Sequence, residues 1–105
     1  MKNLDQEEWK SGSESPHATI IDVRTAEECE EGIVAGARLL DIYRPDEFMA
    51  ALAEMDKEAS YYLYCRSGNR SGQACMIMES QGFKDVNNLE GGMMEWDGEL
   101  VDPQI

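Results

Sequence analysis

The sequence predicts an α/β fold in which helices cover both faces of a mainly parallel sheet. Short segments rich in Val, Ile, Leu and Tyr alternate along the chain with segments whose apolar residues recur at helical spacing. This alternation is typical of βα units, whose crossover helices pack on both faces of a parallel sheet. The length of 105 residues fits one domain with one core, and we assign residues 1–105 to it.

The N-terminal part is predicted to contain a helix, a loop and a strand. Residues 4–10 carry Leu4 and Trp9 on one side of a short amphipathic helix. Residues 11–16 are rich in Ser and Gly, end in Pro and indicate a loop. Residues 18–23 are apolar and β-branched, as expected for a strand.

The next segment predicts two helices separated by a strand. Thr25 and Glu28 match a capping box, so a helix begins there, and it should stop at Gly32. Residues 37–42 predict a second strand. Pro45 suits the first turn of the helix that follows, in which apolar residues recur at helical spacing.

The C-terminal half predicts two more strands and two more helices. Residues 61–64 form a third strand, and a helix over residues 71–81 should end near Gly82. Residues 86–89 predict the last strand. The glycines at residues 91–92 then open a final helix.

One cysteine has the surroundings of a nucleophile. Cys65 follows the strand at residues 61–64 and precedes a helix, in a short loop that also holds Arg66, Gly68 and Arg70. Backbone N–H groups and the positive end of the helix dipole meet at such a position and favour the thiolate. Because the thiolate is the reactive form of cysteine, the loop predicts a nucleophile in an anion-binding cradle.

The other cysteines argue for a reducing compartment. Three cysteines, an odd number without regular spacing, do not indicate a disulfide scaffold or a zinc site, and we expect neither a metal nor a cofactor. The N-terminus does not resemble a signal peptide, and no apolar run is long enough to span a bilayer. We therefore expect a cytoplasmic protein that does not bind membranes.

The chain is strongly acidic, with a formal net charge of −13. This charge argues against nucleic acid as a partner, because phosphate binding requires basic patches. It favours solubility and leaves open a protein partner with a basic patch. Residues 60–78 contain Arg66 and Arg70 and no acidic residue, so the cysteine loop is expected to be locally cationic.

Four motifs resemble the rhodanese family of single-domain thiosulfate sulfurtransferases, over about residues 20–96. They are residues 21–24 (Ile-Asp-Val-Arg), residues 36–37 (Gly-Ala), residues 65–71 (Cys-Arg-Ser-Gly-Asn-Arg-Ser), and residues 88–92 (Asn-Leu-Glu-Gly-Gly) with Trp96. Their order and spacing make the resemblance specific. It implies a rhodanese-like fold with a mainly parallel five-stranded sheet.

The resemblance also implies a reaction. Cys65 would take the outer sulfur of thiosulfate, release sulfite and hold a persulfide that cyanide or a thiol, such as thioredoxin or glutathione, removes. Arg66 and Arg70 would face the sulfonate oxygens of the donor. The residues implied in donor binding are Arg66, Ser67, Gly68, Asn69 and Arg70.

Three further residues are expected to support the loop. Asp22 and Arg24 either contact the donor or form a structural ion pair. Ser71 is expected to cap the helix after the loop. Cys75, on that helix, could resolve an oxidised Cys65 or simply be packed in the core.

The sequence departs from the family pattern at two places. Ile33, Val34 and Ala35 stand where the family usually has His, Ile and Pro, which leaves that turn without its polar anchor. Cys29 stands where an aromatic residue is usual. Neither change touches the cysteine loop.

The sequence is also compatible with other functions. Related phosphatases and arsenate reductases also use a cysteine in an anion-binding loop, but with one more residue between the cysteine and the arginine. Four residues separate Cys65 from Arg70, and the smaller loop favours sulfur transfer. A module that carries sulfur between proteins is an alternative that also fits the sequence, whereas the intact Cys65 disfavours an inert binding domain.

Overall fold

A computed structural model describes residues 1–103, in which five strands and five helices alternate. No helix in this part of the chain combines the length and the apolar character that a membrane span requires. In chain order the elements are β1 (Lys2–Leu4), α1 (Gln6–Ser13), β2 (Ala18–Asp22), α2 (Ala26–Cys29), β3 (Arg38–Leu39), α3 (Pro45–Ala53), β4 (Ser60–Tyr64), α4 (Asn69–Ser80), β5 (Asp85–Leu89) and α5 (Gly92–Glu95).

The five strands form one sheet in the order β1-β5-β4-β2-β3, and every neighbouring pair is parallel. β4 therefore lies at the centre. Asp22 at the end of β2 pairs in register with Tyr64 at the end of β4. This register places the segments after the two strands side by side at the carboxyl edge of the sheet, where ligands bind in such folds.

The strands bury residues on both faces of the sheet, as their apolar runs predict. Tyr61 and Leu63 of β4 lie in a cluster with residues of α3 and α4, whereas Tyr64 lies in a second cluster with Trp9 of α1. Trp9 packs edge-on against both Tyr62 and Tyr64. The predicted α/β class, with helices on both faces of a parallel sheet, is confirmed.

The N-terminal prediction is wrong in its boundaries. Residues 2–4 form the edge strand β1, and the helix runs from Gln6 to Ser13 instead of ending at residue 10. Asp5 caps this helix by accepting a hydrogen bond from Glu8 N at 2.9 Å. The three residues of β1 have no strand pattern of their own, because only their pairing with β5 makes them a strand.

Other boundaries also differ, and α2 ends at Cys29, before the predicted stop at Gly32. The strand expected over residues 37–42 has only two ladder residues, although Leu40 N and Ile42 N still donate to carbonyls of Asp22 and Val23. The helix after the cysteine loop begins at Asn69, and its N-cap is Gly68 instead of Ser71. Gly68 takes the cap because its φ of +98° turns the backbone into the helix, which places Ser71 inside the first turn.

Candidate active site

Cys65 lies where the central strand ends and α4 is about to begin. β4 ends at Tyr64, and only residues 65–68 separate it from the first residue of α4. The loop is closed by Gly68, at which an added Cβ would lie 3.1 Å from Leu89 O. A side chain at this position would therefore meet both backbone strain and crowding.

The Cys65 sulfur lies among hydrogen-bond donors. Gly68 N donates to Sγ at 3.0 Å, and the Ser71 hydroxyl lies 3.4 Å from Sγ. Burial by itself raises the pKa of the Cys65 thiol, but hydrogen bonds from the Ser71 hydroxyl and from the N–H groups of Ser71, Gly68 and Ser67 outweigh it. The pKa of Cys65 is therefore lowered, and the thiolate is favoured.

Ser71 is held by Asn88 of β5. Asn88 Nδ2 donates to Gly68 O at 3.1 Å and to Asn3 Oδ1 at 3.0 Å, which turns its Oδ1 toward the Ser71 hydroxyl. The hydroxyl has one proton and two acceptors, Asn88 Oδ1 and Cys65 Sγ. A negative charge on sulfur strengthens the bond to Cys65, because hydrogen bonds to ions are stronger.

Arg70 is paired with a carboxylate in this structure. Its Nη1 and Nη2 donate to the two carboxylate oxygens of Glu28 at 2.7 and 2.8 Å. This pair lowers the pKa of Glu28 to about 2, so the carboxylate is charged at neutral pH. The Arg70 guanidinium carbon also lies 5.4 Å from the ring centroid of Tyr43. Arg70 thus reaches the rim of the loop with its charge compensated.

Arg66 is exposed, unlike Arg70, and its guanidinium has no hydrogen bond or ion pair with any of residues 1–103. Ser67 and Asn69 are also exposed, and Asn69 N donates to Ser67 Oγ at 3.3 Å. The residues predicted to bind the donor therefore surround Cys65 in the loop. Their role in binding stays a prediction.

Asp22 and Arg24 form a buried ion pair beside the loop. Arg24 Nε and Nη2 both donate to the Asp22 carboxylate, the closest contact being 2.7 Å. Arg24 Nη2 also donates to Gly32 O at 2.8 Å, and Val34 N donates to the Tyr64 hydroxyl at 3.0 Å. The turn that lacks the family's histidine is therefore anchored by Arg24 and Tyr64.

The short helix α5 supports the loop through backbone hydrogen bonds. Met93 N donates to Cys65 O at 3.0 Å, and Met94 N donates to Arg66 O at 2.9 Å. A Cβ at Gly92 would lie only 2.5 Å from Arg66 O, so only glycine fits where the two segments meet. The Gly-Gly sequence before Met93 is thus part of the site through its backbone.

A cavity of about 320 Å³ opens beside the loop. Its lining combines two arginines, two glutamates and two methionines: Arg24, Arg66, Glu28, Glu31, Met93 and Met94. Cys65 itself has no exposed surface. Cys65 is not among the residues that line this cavity.

The other two cysteines have opposite properties. Burial raises the pKa of Cys75 to about 12. Burial beside Asp22 also raises the pKa of Cys29 to about 12. Both thiols are buried and free. They lack the donors that surround Cys65 and remain protonated at neutral pH.

Two residues of the site make contacts that the sequence does not predict. Glu28 fits a capping box and does cap α2 with Thr25, which explains its presence without reference to Arg70. Asn88 lies within a matched motif, but only the parallel pairing of β4 and β5 places it beside Ser71. A contact between residues 42 positions apart cannot be read from local spacing.

Known proteins resemble this chain over most of its length. A family model described as a rhodanese-like domain matches residues 5–99. The putative sulfurtransferase YtwF of Bacillus subtilis is 42% identical over 80 residues, which are 76% of this chain and 74% of YtwF. Thiosulfate sulfurtransferase GlpE of Pseudomonas aeruginosa is 33% identical over 79 residues, which are 75% of this chain and 69% of GlpE.

Two more comparisons extend this picture. The putative sulfur carrier protein YrkF of Bacillus subtilis is 37% identical over 79 residues, 75% of this chain but only 41% of YrkF. The crystal structure of a rhodanese-like domain protein from Staphylococcus aureus has a TM-score of 0.84 at 34% identity and covers 99% of this chain and 100% of that chain. Together with the matched fold and the cysteine loop, these likenesses show that the chain belongs to the rhodanese-like family, which includes single-domain sulfurtransferases.

Proposed function

We propose that this protein is a sulfurtransferase that moves sulfane sulfur from thiosulfate or a related donor to cyanide or a thiol through a persulfide on Cys65. The observation that carries the proposal is the set of donors around the Cys65 sulfur, which lowers its pKa. A sulfur atom stabilised as an anion both attacks and carries sulfur well. The thiosulfate sulfurtransferase GlpE among the relatives supports the same donor.

The reaction balances in two steps. In the first, the Cys65 thiolate attacks the outer sulfur of thiosulfate, a new S–S bond forms, and the electron pair of the broken S–S bond leaves with sulfite. In the second, cyanide or a thiolate takes the outer sulfur and the thiolate of Cys65 is restored. No general base is required, because the lowered pKa already supplies the thiolate.

The loop suits both anionic states. The N–H of Gly68 and the hydroxyl of Ser71 donate toward the Cys65 sulfur. The same groups can also donate hydrogen bonds to the negatively charged outer sulfur of a persulfide. Arg66, exposed and unpaired within residues 1–103, is the guanidinium best placed to meet donor oxygens.

Free buried cysteines support a reducing cytoplasm as the place of action.

The test is intact-protein mass spectrometry after treatment with thiosulfate. We expect the wild type to gain the mass of one sulfur atom and to lose it when cyanide is added. Cys65→Ser should abolish the gain, and Cys75→Ser, which removes a buried thiol of raised pKa, should largely retain it. Equal losses in both variants would contradict a mechanism that uses one cysteine.

A second candidate is a module that carries sulfur between proteins, and its support is the likeness to the putative sulfur carrier YrkF. The same Cys65 persulfide would then be filled by a protein persulfide. Rapid loading from a cysteine desulfurase together with slow turnover of free thiosulfate would favour this candidate. Robust hydrolysis of p-nitrophenyl phosphate would instead favour the phosphatase alternative.

A further inference from the structure

The Glu28–Arg70 ion pair is built rigidly into the rim of the site. Glu28 Oε1 also accepts hydrogen bonds from Thr25 N at 3.3 Å and from Thr25 Oγ1 at 3.1 Å. The ring of Tyr43 lies against the Arg70 guanidinium, with its centroid 5.4 Å from Cζ. Both partners are therefore held by a third residue, and both are largely shielded, with side-chain exposures of 29% for Glu28 and 17% for Arg70.

The pair changes the charge that a donor meets. Near the loop, Arg24 is compensated by Asp22, and Arg70 is compensated by Glu28. The cavity also holds a second carboxylate, Glu31. Within residues 1–103, Arg66 is the one arginine of this cavity without an acidic partner, so the site has less positive charge than its loop sequence indicates.

Resting on the proposed function, we infer that Glu28 determines which donor charge the site accepts. The site selects donors with one negative charge over the dianion thiosulfate. A single unpaired guanidinium compensates one negative charge. Glu28 compensates Arg70, so a second negative charge on the donor meets no unpaired guanidinium at short range, where solvent screens poorly. Selection of this kind works by weakening the binding of the disfavoured donor, which is thiosulfate.

Methanethiosulfonate is a matched probe for this inference. It has the form of thiosulfate with one sulfonate oxygen replaced by a methyl group, and it carries one negative charge instead of two. The Cys65 thiolate attacks its outer sulfur in the same way, and methanesulfinate leaves with the electron pair in place of sulfite. The two donors thus form the same Cys65 persulfide, and the ratio of their loading rates reports donor charge.

The experiment measures single-turnover loading of Cys65 with each donor by quenched mass spectrometry, in wild type, Glu28→Gln and Glu31→Gln. Gln at position 28 still suits a capping box but leaves the charge of Arg70 uncompensated. We expect the thiosulfate-to-methanethiosulfonate rate ratio to rise by about threefold to tenfold in Glu28→Gln.

Glu31→Gln is the matched control. Glu31 lines the same cavity and is exposed, and its carboxylate has no hydrogen bond or ion pair with the rest of the described chain. Its removal changes the net charge of the protein by the same amount. The ratio should move by less than about twofold in this variant. An equal change in both variants, or no change in Glu28→Gln, would overturn the inference.

A second variant keeps the test valid if Glu28→Gln does not fold. Arg70→Gln leaves Glu28 unpaired, so the rate ratio should fall by about threefold or more, in the opposite direction. A purely structural ion pair would slow loading from both donors equally and leave the ratio unchanged, which would refute the inference. Failure of the wild type to form a Cys65 persulfide with either donor would instead refute the proposed function.

Discussion

The hydroxyl of Ser71 is the one side chain that donates to the Cys65 sulfur in the described chain, since the other donors are backbone N–H groups. Its contribution to the thiolate can therefore be removed by a single substitution. The backbone donors remain when Ser71 is changed. The two kinds of donor can thus be separated by experiment.

We expect Ser71→Ala to raise the pKa of Cys65 by about one pH unit, the effect of losing one hydrogen bond to a charged acceptor. The rate of Cys65 alkylation by iodoacetamide falls as pH drops through this pKa, and in the variant the fall should begin at a higher pH. Peptide mapping assigns the modified cysteine. Ser80→Ala, on the exposed end of the same helix, should leave the profile unchanged. Superimposable profiles for Ser71→Ala and wild type would show that the backbone donors suffice.

At this scale the sequence identified the reactive cysteine correctly as a candidate, because the glycine, the arginines and the helix start all lie within six residues of it. It did not reveal that Arg70 is paired. In the folded protein this interval is not free of acidic partners, because Glu28 of α2 pairs with Arg70. Electrostatics depends on distance between atoms, and local spacing reports distance only along one element.

Among the elements, β4, the cysteine loop and α4 form one unit, and α5 fixes its position. Hydrogen bonds from Met93 and Met94 N–H groups to loop carbonyls require the backbones to approach closely at Gly92. Gly92 has a φ of +56°, and an added Cβ would overlap Arg66 O. Gly36 has a φ of +83° but open space around its Cβ position.

These two glycines separate backbone strain from crowding. We expect Gly36→Ala to lower the free energy of unfolding by about 1 kcal/mol through strain alone. Gly92→Ala should lower it by about 3 kcal/mol, because the loop must also shift, and it should slow persulfide formation. Urea unfolding measures both values. Equal losses of stability in the two variants would mean that the overlap of the added Cβ with Arg66 O does not lower the free energy of unfolding.

Local chemistry determined some elements well. The capping box at Thr25 and Glu28 and the proline at the start of α3 were both predicted and are present. The sequence does not predict β1 and predicts β3 too long, because each is an edge strand of two or three residues that is defined by its neighbour. The sequence predicts Ser71 as the cap of α4, because no local feature shows that Gly68 turns the backbone first.

Across the whole molecule, the net charge of −13 opposes the approach of an anionic donor. Glu31, which has no ion-pair partner in the described chain, places part of this charge at the cavity itself. Salt screens repulsion between exposed charges over distances of about 10 Å at 0.1 M. The acidic surface should therefore repel the anionic donor most strongly at low ionic strength.

We expect kcat/KM for thiosulfate to rise by about twofold to fivefold as ionic strength increases from about 0.02 to about 0.3 M. Steady-state rates with cyanide in excess measure it, with the salt varied at constant pH. Methanethiosulfonate, with one charge less, should show a smaller rise. A monotonic fall with salt would mean that attraction by Arg66 outweighs the acidic surface.

The sequence by itself determined the fold class, the family resemblance and the identity of the candidate nucleophile, because periodicity, caps and a contiguous loop are local features. Only the tertiary structure decided which arginine is free to meet an anion. Parallel packing brings α2 beside the cysteine loop and β5 beneath α4, so Glu28 reaches Arg70 and Asn88 reaches Ser71. The charge and hydrogen bonding of the site arise from residues far apart in the chain, and only folding makes them neighbours.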